Sequence, residues 1–196
     1  MTDKKITILV IPGSVRPNNY TAMAVRLVAD ELASHQDVEF EVIDPLMLQM
    51  QLPGVGSDSS ELIRFREKVQ QSTGVIMATP EYHGSFSSVI KLVIENLGFP
   101  SVLSGKPIAL MGVAAGAIGA IKSLEQLRGV CSHVGALVLP GPVSVPYVQQ
   151  VFDQQGQCQD PAMEKRIRGV ASHMLEHIRG HICPKVALEA MVRDRE

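Results

Sequence analysis

Hydrophobic residues follow two alternating patterns along the chain: short, nearly unbroken runs rich in β-branched residues, and longer segments with helical spacing. The short runs predict buried strands of a parallel sheet, and the longer segments predict the helices that connect them. The predicted strands are residues 6–11, 38–43, 74–78, 108–112 and 136–139. The predicted helices are residues 21–34, about 60–71 with Ser59 or Ser60 as the cap, 88–97, about 120–132, and 161–182.

Five parallel strands with helices on both faces predict an α/β fold, a flavodoxin-like doubly wound sheet. The loops after the first, third and fourth strands meet at the carboxyl edge of such a sheet, where ligands bind. A loop over residues 46–60, rich in glycine and serine, is long enough to reach over a ligand. We expect a single domain over residues 1–183 and a C-terminal tail over 184–196.

Composition and charge narrow the function classes. The chain has 196 residues, of which 45% are hydrophobic, and a net charge of -2. This balance offers no basic field to nucleic acid and no acidic surplus typical of small electron carriers. The first apolar run is too short for a signal peptide or a membrane span. Three dispersed cysteines, Cys131, Cys158 and Cys183, argue against a disulfide framework, so we expect free thiols in the cytoplasm.

The loop after the first strand is dense in hydrogen-bond donors and leads directly into a helix. Its side-chain donors are Ser14, Arg16, Asn18, Asn19, Tyr20 and Thr21. An anion there meets these groups and the positive end of the helix dipole. The loop matches neither the Rossmann glycine motif nor a P-loop, so it predicts a different kind of phosphate site.

The loop after the third strand, residues 79–86, combines turn residues with aromatic and polar groups. Pro80 fixes its own φ and Gly84 permits close backbone approach, so main-chain groups here can address a heterocycle. Tyr82 can pack against such a ring, and His83 can donate to it or stack on it. An ordinary polar turn is the alternative interpretation.

Together, Gly-Ser-Val-Arg-Pro-Asn-Asn-Tyr-Thr at 13–21 and Pro-Glu-Tyr-His-Gly-Ser at 80–85 resemble the NAD(P)H-dependent FMN reductase family. That family includes quinone, azo-dye and chromate reductases on a flavodoxin-like fold. Its phosphate loop reads Gly-Ser-x-Arg-x-x-Ser, and its ring loop typically reads Pro-Glu-Tyr-Asn-Gly-Ser. The resemblance continues into residues 112–128 and covers roughly the first 140 residues in order.

The resemblance implies bound FMN, NADPH or NADH as hydride donor, and a quinone, flavin, azo compound or metal oxyanion as small-molecule acceptor. It implies no catalytic side chain and no metal. The residues implied at the phosphate are Ser14, Arg16, Asn19 and Thr21, with Asn18 and Tyr20 adjoining. The residues implied at the ring are Pro80, Glu81, Tyr82, His83, Gly84 and Ser85, with Ala115 and Gly116 on the other side.

Three positions depart from the family pattern. Asn19 replaces a serine, and its amide still donates to phosphate. His83 replaces an asparagine, and it either tunes the flavin and contacts substrate or is a satisfied turn histidine. Residues 114–120 lack the family's arginine, which leaves the choice between NADH and NADPH open. For Glu81 we expect a scaffold role rather than catalysis.

Two helices carry further patterns. Residues 88–97 are apolar around most of the helix, which indicates burial in a large core or a homodimer interface. We favour the interface, next to the active site, in a homodimer or homotetramer. His173, His177 and His181 share one helical face, where a metal clamp is conceivable but a solvated face is the preferred interpretation.

Two other functions share this fold: a flavodoxin-type carrier of single electrons and a non-catalytic flavin-sensing module. The near-neutral charge and the apolar helix argue against the carrier. Steady NAD(P)H oxidation with a quinone and no second protein separates the enzyme from the carrier. Bound FMN that neither nicotinamide reduces indicates the sensing module.

Replacing Arg16 by alanine is expected to weaken FMN binding without unfolding the protein. The guanidinium matches a phosphate dianion, and the residue lies in a loop rather than in the core. Fluorescence titration with FMN measures the affinity, and circular dichroism checks the fold. An unchanged affinity in the folded variant contradicts this role.

Overall fold

A parallel sheet with helices on both faces forms the molecule, as seen in a computed structural model that describes residues 5–56 and 58–193. The strands are β1 (Ile6–Pro12), β2 (Val38–Val42), β3 (Gly74–Tyr82), β4 (Ser85–Phe86), β5 (Pro107–Val113), β6 (Leu137–Val138) and β7 (Val143–Val145). Five of them lie side by side in the order β2-β1-β3-β5-β6. The predicted fold class is confirmed, with seven strands in place of five.

Both extra strands have local causes. β4 pairs antiparallel with the end of β3, so much of the loop predicted at 79–87 is a β-hairpin. β6 lies inside the predicted strand 136–139, and β7 is an additional strand that pairs with β5 beyond it. Pro140 and Pro142 lie between them and carry no backbone N–H, so the ladder is interrupted there.

Seven α-helices lie in the described ranges, with one 3₁₀ turn and one π turn. They are α1 (Tyr20–Ala33), α2 (Ser60–Gln71), α3 (Ser88–Glu95), α4 (Ile121–His133), α5 (Val148–Val151), α6 (Pro161–His177) and α7 (Cys183–Arg193). The 3₁₀ turn is Pro45–Leu48, and the π turn Ile178–Ile182 joins α6 to α7. Within these ranges, the helices lack the length and apolarity to cross a membrane.

Alternation of side chains along β1 divides the hydrophobic core into two layers, one on each face of the sheet. Ile8 and Val10 pack with α1 and α6, whereas Leu9 and Ile11 pack with α2, α3 and α4. Each fully buried aliphatic side chain contributes about 1.5–3 kcal/mol. The near-continuous apolar run of β1 is therefore explained by burial on both faces.

The segment between β2 and α2 is hydrogen-bonded to the end of α3. The backbone N–H of Gln51 donates to Asn96 Oδ1 (3.1 Å), and Asn96 Nδ2 donates to the carbonyl of Gln51 (2.9 Å). Ser59 caps α2 by accepting from the N–H of Leu62, as one of the two predicted alternatives. The expectation that this loop reaches over a ligand stays a prediction.

The C-terminal helices continue past the predicted end at residue 182. α7 carries the helix to Arg193, through Pro184 in its first turn, where a missing N–H costs little. The division into a domain at 1–183 and a tail at 184–196 stays a prediction.

Replacing Gly112 by alanine is expected to lower the free energy of unfolding by about 1–3 kcal/mol through overpacking. A Cβ built at Gly112 lies 2.5 Å from Ala120 Cβ and 3.1 Å from Leu124 Cγ. Urea denaturation measures the change. The matched control is Gly129→Ala in α4, where a Cβ meets open space and stability rises by about 0.5–1 kcal/mol. Equal stability of the two variants contradicts the packing argument.

Candidate functional site

A cavity of about 530 Å³ opens at the carboxyl edge of the sheet. The β1–α1 loop, the end of β3, the loop after β5 and helix α5 enclose it. The lining residues are Arg16, Pro17, Asn18, Asn19, Tyr20, Thr21, Pro80, Glu81, Tyr82, Val113, Ala114, Ala115, Val148 and Gln149. The structure thus brings together the two loops that the sequence singled out.

Most of the predicted site residues line this cavity. The predicted residues that do not line it are Ser14, His83, Gly84, Ser85 and Gly116. Sequence reasoning missed Val148 and Gln149, which follow the last predicted strand and carry no motif. They reach the cavity because β7 pairs with the end of β5.

Ser14 lies behind the phosphate loop with an unsatisfied hydroxyl. The residue is 8% exposed, and its Oγ has no hydrogen-bond partner in the described part of the chain. Leaving a buried polar group unpaired costs about 1–3 kcal/mol. The neighbouring Gly13 N–H is used, since it donates to the carbonyl of Ala78 in β3 (2.6 Å). The free hydroxyl therefore indicates a position where a ligand completes the hydrogen bonding.

Asn19 has a structural role that the sequence did not reveal. Its Oδ1 accepts from the N–H of Ala22 (2.8 Å) and so caps α1, while Nδ2 donates to the carbonyl of Arg16 (2.6 Å). Asparagine and serine are comparable N-caps, so the departure from the family serine preserves the start of the helix. One amide hydrogen of Nδ2 is left for a ligand.

Arg16 connects the phosphate loop to the hairpin. Its guanidinium carbon lies 4.8 Å from the centroid of the Tyr82 ring, a cation–π contact. Both side chains line the cavity. The positive charge is thus held over the cavity rather than in an ion pair of the described residues.

The hairpin turns at His83 and Gly84, whose φ angles are 52° and 74°. Two successive positive φ angles between paired strands are typical of a type I′ turn, which prefers Asn-Gly. The asparagine of the family pattern is explained by this backbone, and His83 is an exposed residue at the tip. This geometry favours the turn interpretation of His83.

Glu81 points toward α4. Its Oε2 accepts from both the N–H (3.3 Å) and the Oγ (3.1 Å) of Ser123 in the first helical turn. Ala120, the cap residue, offers no side-chain acceptor, so Glu81 supplies one from another element. A carboxylate at a helix N-terminus is also favoured by the dipole. These contacts fit the scaffold role.

Helix α5 and the loop after β5 form the third wall. The N–H of Val148 donates to the carbonyl of Ala114 (3.0 Å), and Gln149 Nε2 donates to that of Ala115 (3.2 Å). Gly116 is exposed beside this wall and accepts from the N–H of Tyr147 (3.3 Å). These hydrogen bonds join α5 to the loop after β5, so the two segments form one wall.

The two patterned helices lie outside the cavity. The rings of His177 and His181 are 4.9 Å apart, and partial burial with neighbouring histidine charge lowers the pKa of His177. Across residues 5–56 and 58–193, no group of three or more His, Cys, Asp or Glu side chains is placed to hold a metal ion.

Helix α3 packs one side into the core. Its buried residues are Ile90, Val93 and Ile94, so part of its apolar surface is explained by core packing.

The fold and this edge define a flavodoxin-like protein. FerB, a flavoenzyme NAD(P)H:(acceptor) oxidoreductase from Paracoccus denitrificans, superposes with a TM-score of 0.73 at 23% identity, covering 90% of this chain and 98% of that chain. An archaeal flavodoxin gives a TM-score of 0.55 at 11% identity, covering 86% and 99%. These similarities establish the fold.

Residues 6–150 match the model of the NADPH-dependent FMN reductase family, and the chain belongs to that family. It is 30% identical over 141 residues to a 2-hydroxy-1,4-benzoquinone reductase from Burkholderia, covering 70% of this chain and 76% of that protein. An NAD(P)H-dependent FMN reductase from Pseudomonas aeruginosa is 28% identical over 166 residues, covering 83% and 90%. The predicted family, its oxidoreductase class and its FMN and NAD(P)H cofactors are confirmed.

Replacing His83 by asparagine is expected to raise the free energy of unfolding by about 0.5–1 kcal/mol, because asparagine tolerates the left-handed conformation better. Thermal unfolding monitored by circular dichroism measures the effect. His83→Val tests the same cause in the opposite sense, since a β-branched residue is strained at positive φ. If both variants unfold at the wild-type temperature, the turn does not constrain this residue.

Proposed function

We propose that this protein binds FMN in the cavity at the carboxyl edge and uses it to reduce a quinone-type acceptor with NAD(P)H. The observation that carries the proposal is the buried, unpaired hydroxyl of Ser14, which lies beside a cavity lined by both family motifs. An FMN phosphate in the β1–α1 loop supplies the missing partner. An electron carrier or a flavin sensor would bind FMN in the same place, and the match to the NADPH-dependent FMN reductase family favours the reductase over both.

The phosphate end is argued from charge and donors. Arg16 offers a planar fork for paired hydrogen bonds to a phosphate dianion, and the N-terminus of α1 adds a favourable dipole. Ser14 Oγ and the free hydrogen of Asn19 Nδ2 are further donors. The Tyr82 ring lies under the Arg16 guanidinium and leaves its N–H edge available to a phosphate. Asn18, Tyr20 and Thr21 complete this end of the proposed site.

The ring end is formed by the hairpin and the small residues opposite. Pro80, Glu81, Tyr82 and Ala115 line this end of the cavity. We propose that His83, Gly84, Ser85 and Gly116, which lie outside the lining, form its rim. FMN held by these residues would supply the redox chemistry that links the reduced nicotinamide to the acceptor. The chain itself positions the ring and needs no acid–base pair.

The loop after β5 and a named relative support a proposal for the electron acceptor and the hydride donor. Small residues at 114–117 leave room for a flat molecule, and the Burkholderia relative is named for a hydroxybenzoquinone. We propose a small quinone as acceptor. Residues 113–120 carry no cation to select the 2′-phosphate, so we propose that both NADH and NADPH serve as donors.

A cytoplasmic location is proposed from the thiols. Cys131, Cys158 and Cys183 are all free. Burial in the core raises the pKa of the Cys131 thiol to about 12, which keeps it protonated and unreactive. Free cysteines of this kind are typical of a reducing compartment.

Anaerobic mixing of the FMN-loaded protein with NADH, and separately with NADPH, is expected to bleach the flavin absorbance. Adding 1,4-benzoquinone then restores the yellow colour, because the acceptor reoxidises the flavin. Stopped-flow absorbance measures both rates. Protein that fails to bind micromolar FMN contradicts the proposal, and bound FMN that neither nucleotide bleaches indicates the flavin-sensing alternative.

We further propose a homodimer built on the apolar surface at the end of α3. Phe99 there is fully exposed at 101%. The loop between β2 and α2 exposes four more apolar side chains: Leu46, Met47, Leu52 and Val55. The Gln51–Asn96 hydrogen bonds hold this loop against α3. Large exposed side chains grouped in this way are typical of interaction surfaces. A homotetramer requires a second surface.

Phe99→Asp is expected to shift the protein from dimer to monomer, because a charge at the centre of an apolar interface is desolvated on association. Light scattering after size-exclusion chromatography measures the mass. The control is Val186→Asp on α7, another exposed apolar residue, at 54%. Dissociation by Val186→Asp and not by Phe99→Asp contradicts this surface and places the interface at the C-terminal helix.

A further inference from the structure

The hairpin that carries the ring end of the proposed site is attached to α4 by a side chain outside the cavity. Ser85 Oγ donates to Gln126 Oε1 (2.7 Å), and Gln126 Nε2 donates to the carbonyl of Gly84 (3.0 Å). The side-chain amide of Gln126 therefore contacts both Gly84, in the turn, and Ser85, the first residue of β4. Gln126 lies outside the cavity lining, so these contacts do not involve it in binding directly.

A second attachment lies one helical turn earlier. Ser123 holds the Glu81 carboxylate through its N–H and its hydroxyl. Residues three apart share one face of a helix, so Ser123 and Gln126 present a continuous edge to the hairpin. The hairpin is thereby held at its base through Glu81 and at its tip through Gln126.

Helix α4 is a firm support for both attachments. Leu124 and Leu127 are buried in the core, at 3% and 0% exposure. The helix also follows directly from the loop after β5, whose end is fixed where the N–H of Ala120 donates to Ser144 Oγ (2.9 Å). The same helix thus anchors the hairpin and the loop that face each other across the cavity.

We infer that Gln126 is a positioning residue: through Ser85 and Gly84 it sets where the hairpin backbone lies against the bound flavin ring. This inference rests on the proposed function, because it concerns the FMN that the cavity is proposed to hold. A displaced hairpin alters contacts to the ring, whose oxidised and reduced forms differ in hydrogen bonding. Both the FMN affinity and the midpoint potential therefore depend on a residue that does not touch the cofactor.

The test compares Gln126→Leu with Ser85→Ala. Loss of a hydrogen bond of ordinary strength predicts about a 3- to 10-fold rise in the FMN Kd for both variants. The double variant Ser85→Ala with Gln126→Leu is expected to equal Gln126→Leu alone, since the latter already removes both bonds.

The control is Glu125→Leu, a polar-to-leucine change at the adjacent exposed position of α4. Fluorescence titration gives the Kd, and a xanthine oxidase dye assay gives the midpoint potential, which a merely stabilising contact leaves unchanged. A shifted potential in Gln126→Leu but not in Glu125→Leu supports the inference.

Two results overturn it. A wild-type Kd and potential in both Gln126→Leu and Ser85→Ala remove the positioning role while wild-type FMN binding keeps the proposed function. Wild-type protein that binds no FMN removes the proposed function, and the inference with it.

Discussion

Parallel pairing of β1 with β3, and of β3 with β5, is the constraint on which the site depends. The registers place Pro12 beside Ala78 and Thr79 beside Gly112, so three chain segments leave the sheet at one level. The hydrogen bond from Gly13 to Ala78 extends that pairing by one step into the phosphate loop. Two motifs that lie far apart in the sequence, at residues 13–21 and 80–85, thereby form one cavity.

Local sequence was sufficient where local chemistry decides the structure. β1 was predictable because burial on both faces demands an unbroken apolar run, and α2 because Ser59 is a suitable cap. The ligand-binding role of the loop at residues 13–21 was also predictable, because its hydrogen-bond donors are visible in the sequence. Most of its residues line the cavity.

Other features depend on tertiary pairing and left no local signal. The end of β3 reads as a loop, and only its pairing with Phe86 and Ser85 makes it a hairpin. Val148 enters the site through the position of β7, and Gln126 contacts a turn 41 or more residues earlier. Asn19 was read as a ligand donor, whereas its acceptor oxygen is used in capping. A side chain has several possible partners, and the fold decides among them.

The unpaired hydroxyl of Ser14 has a thermodynamic consequence. A buried group without a partner makes the empty protein less stable than its packing allows, and an occupant that satisfies the group removes this deficit. By linkage, any ligand that binds only the native state stabilises it by RT ln(1 + [L]/Kd), where [L] is the free ligand concentration. Ligand binding and folding are then coupled, because the ligand is released when the protein unfolds. The concentration of the ligand in the cell therefore helps to set the fraction of the protein that stays folded.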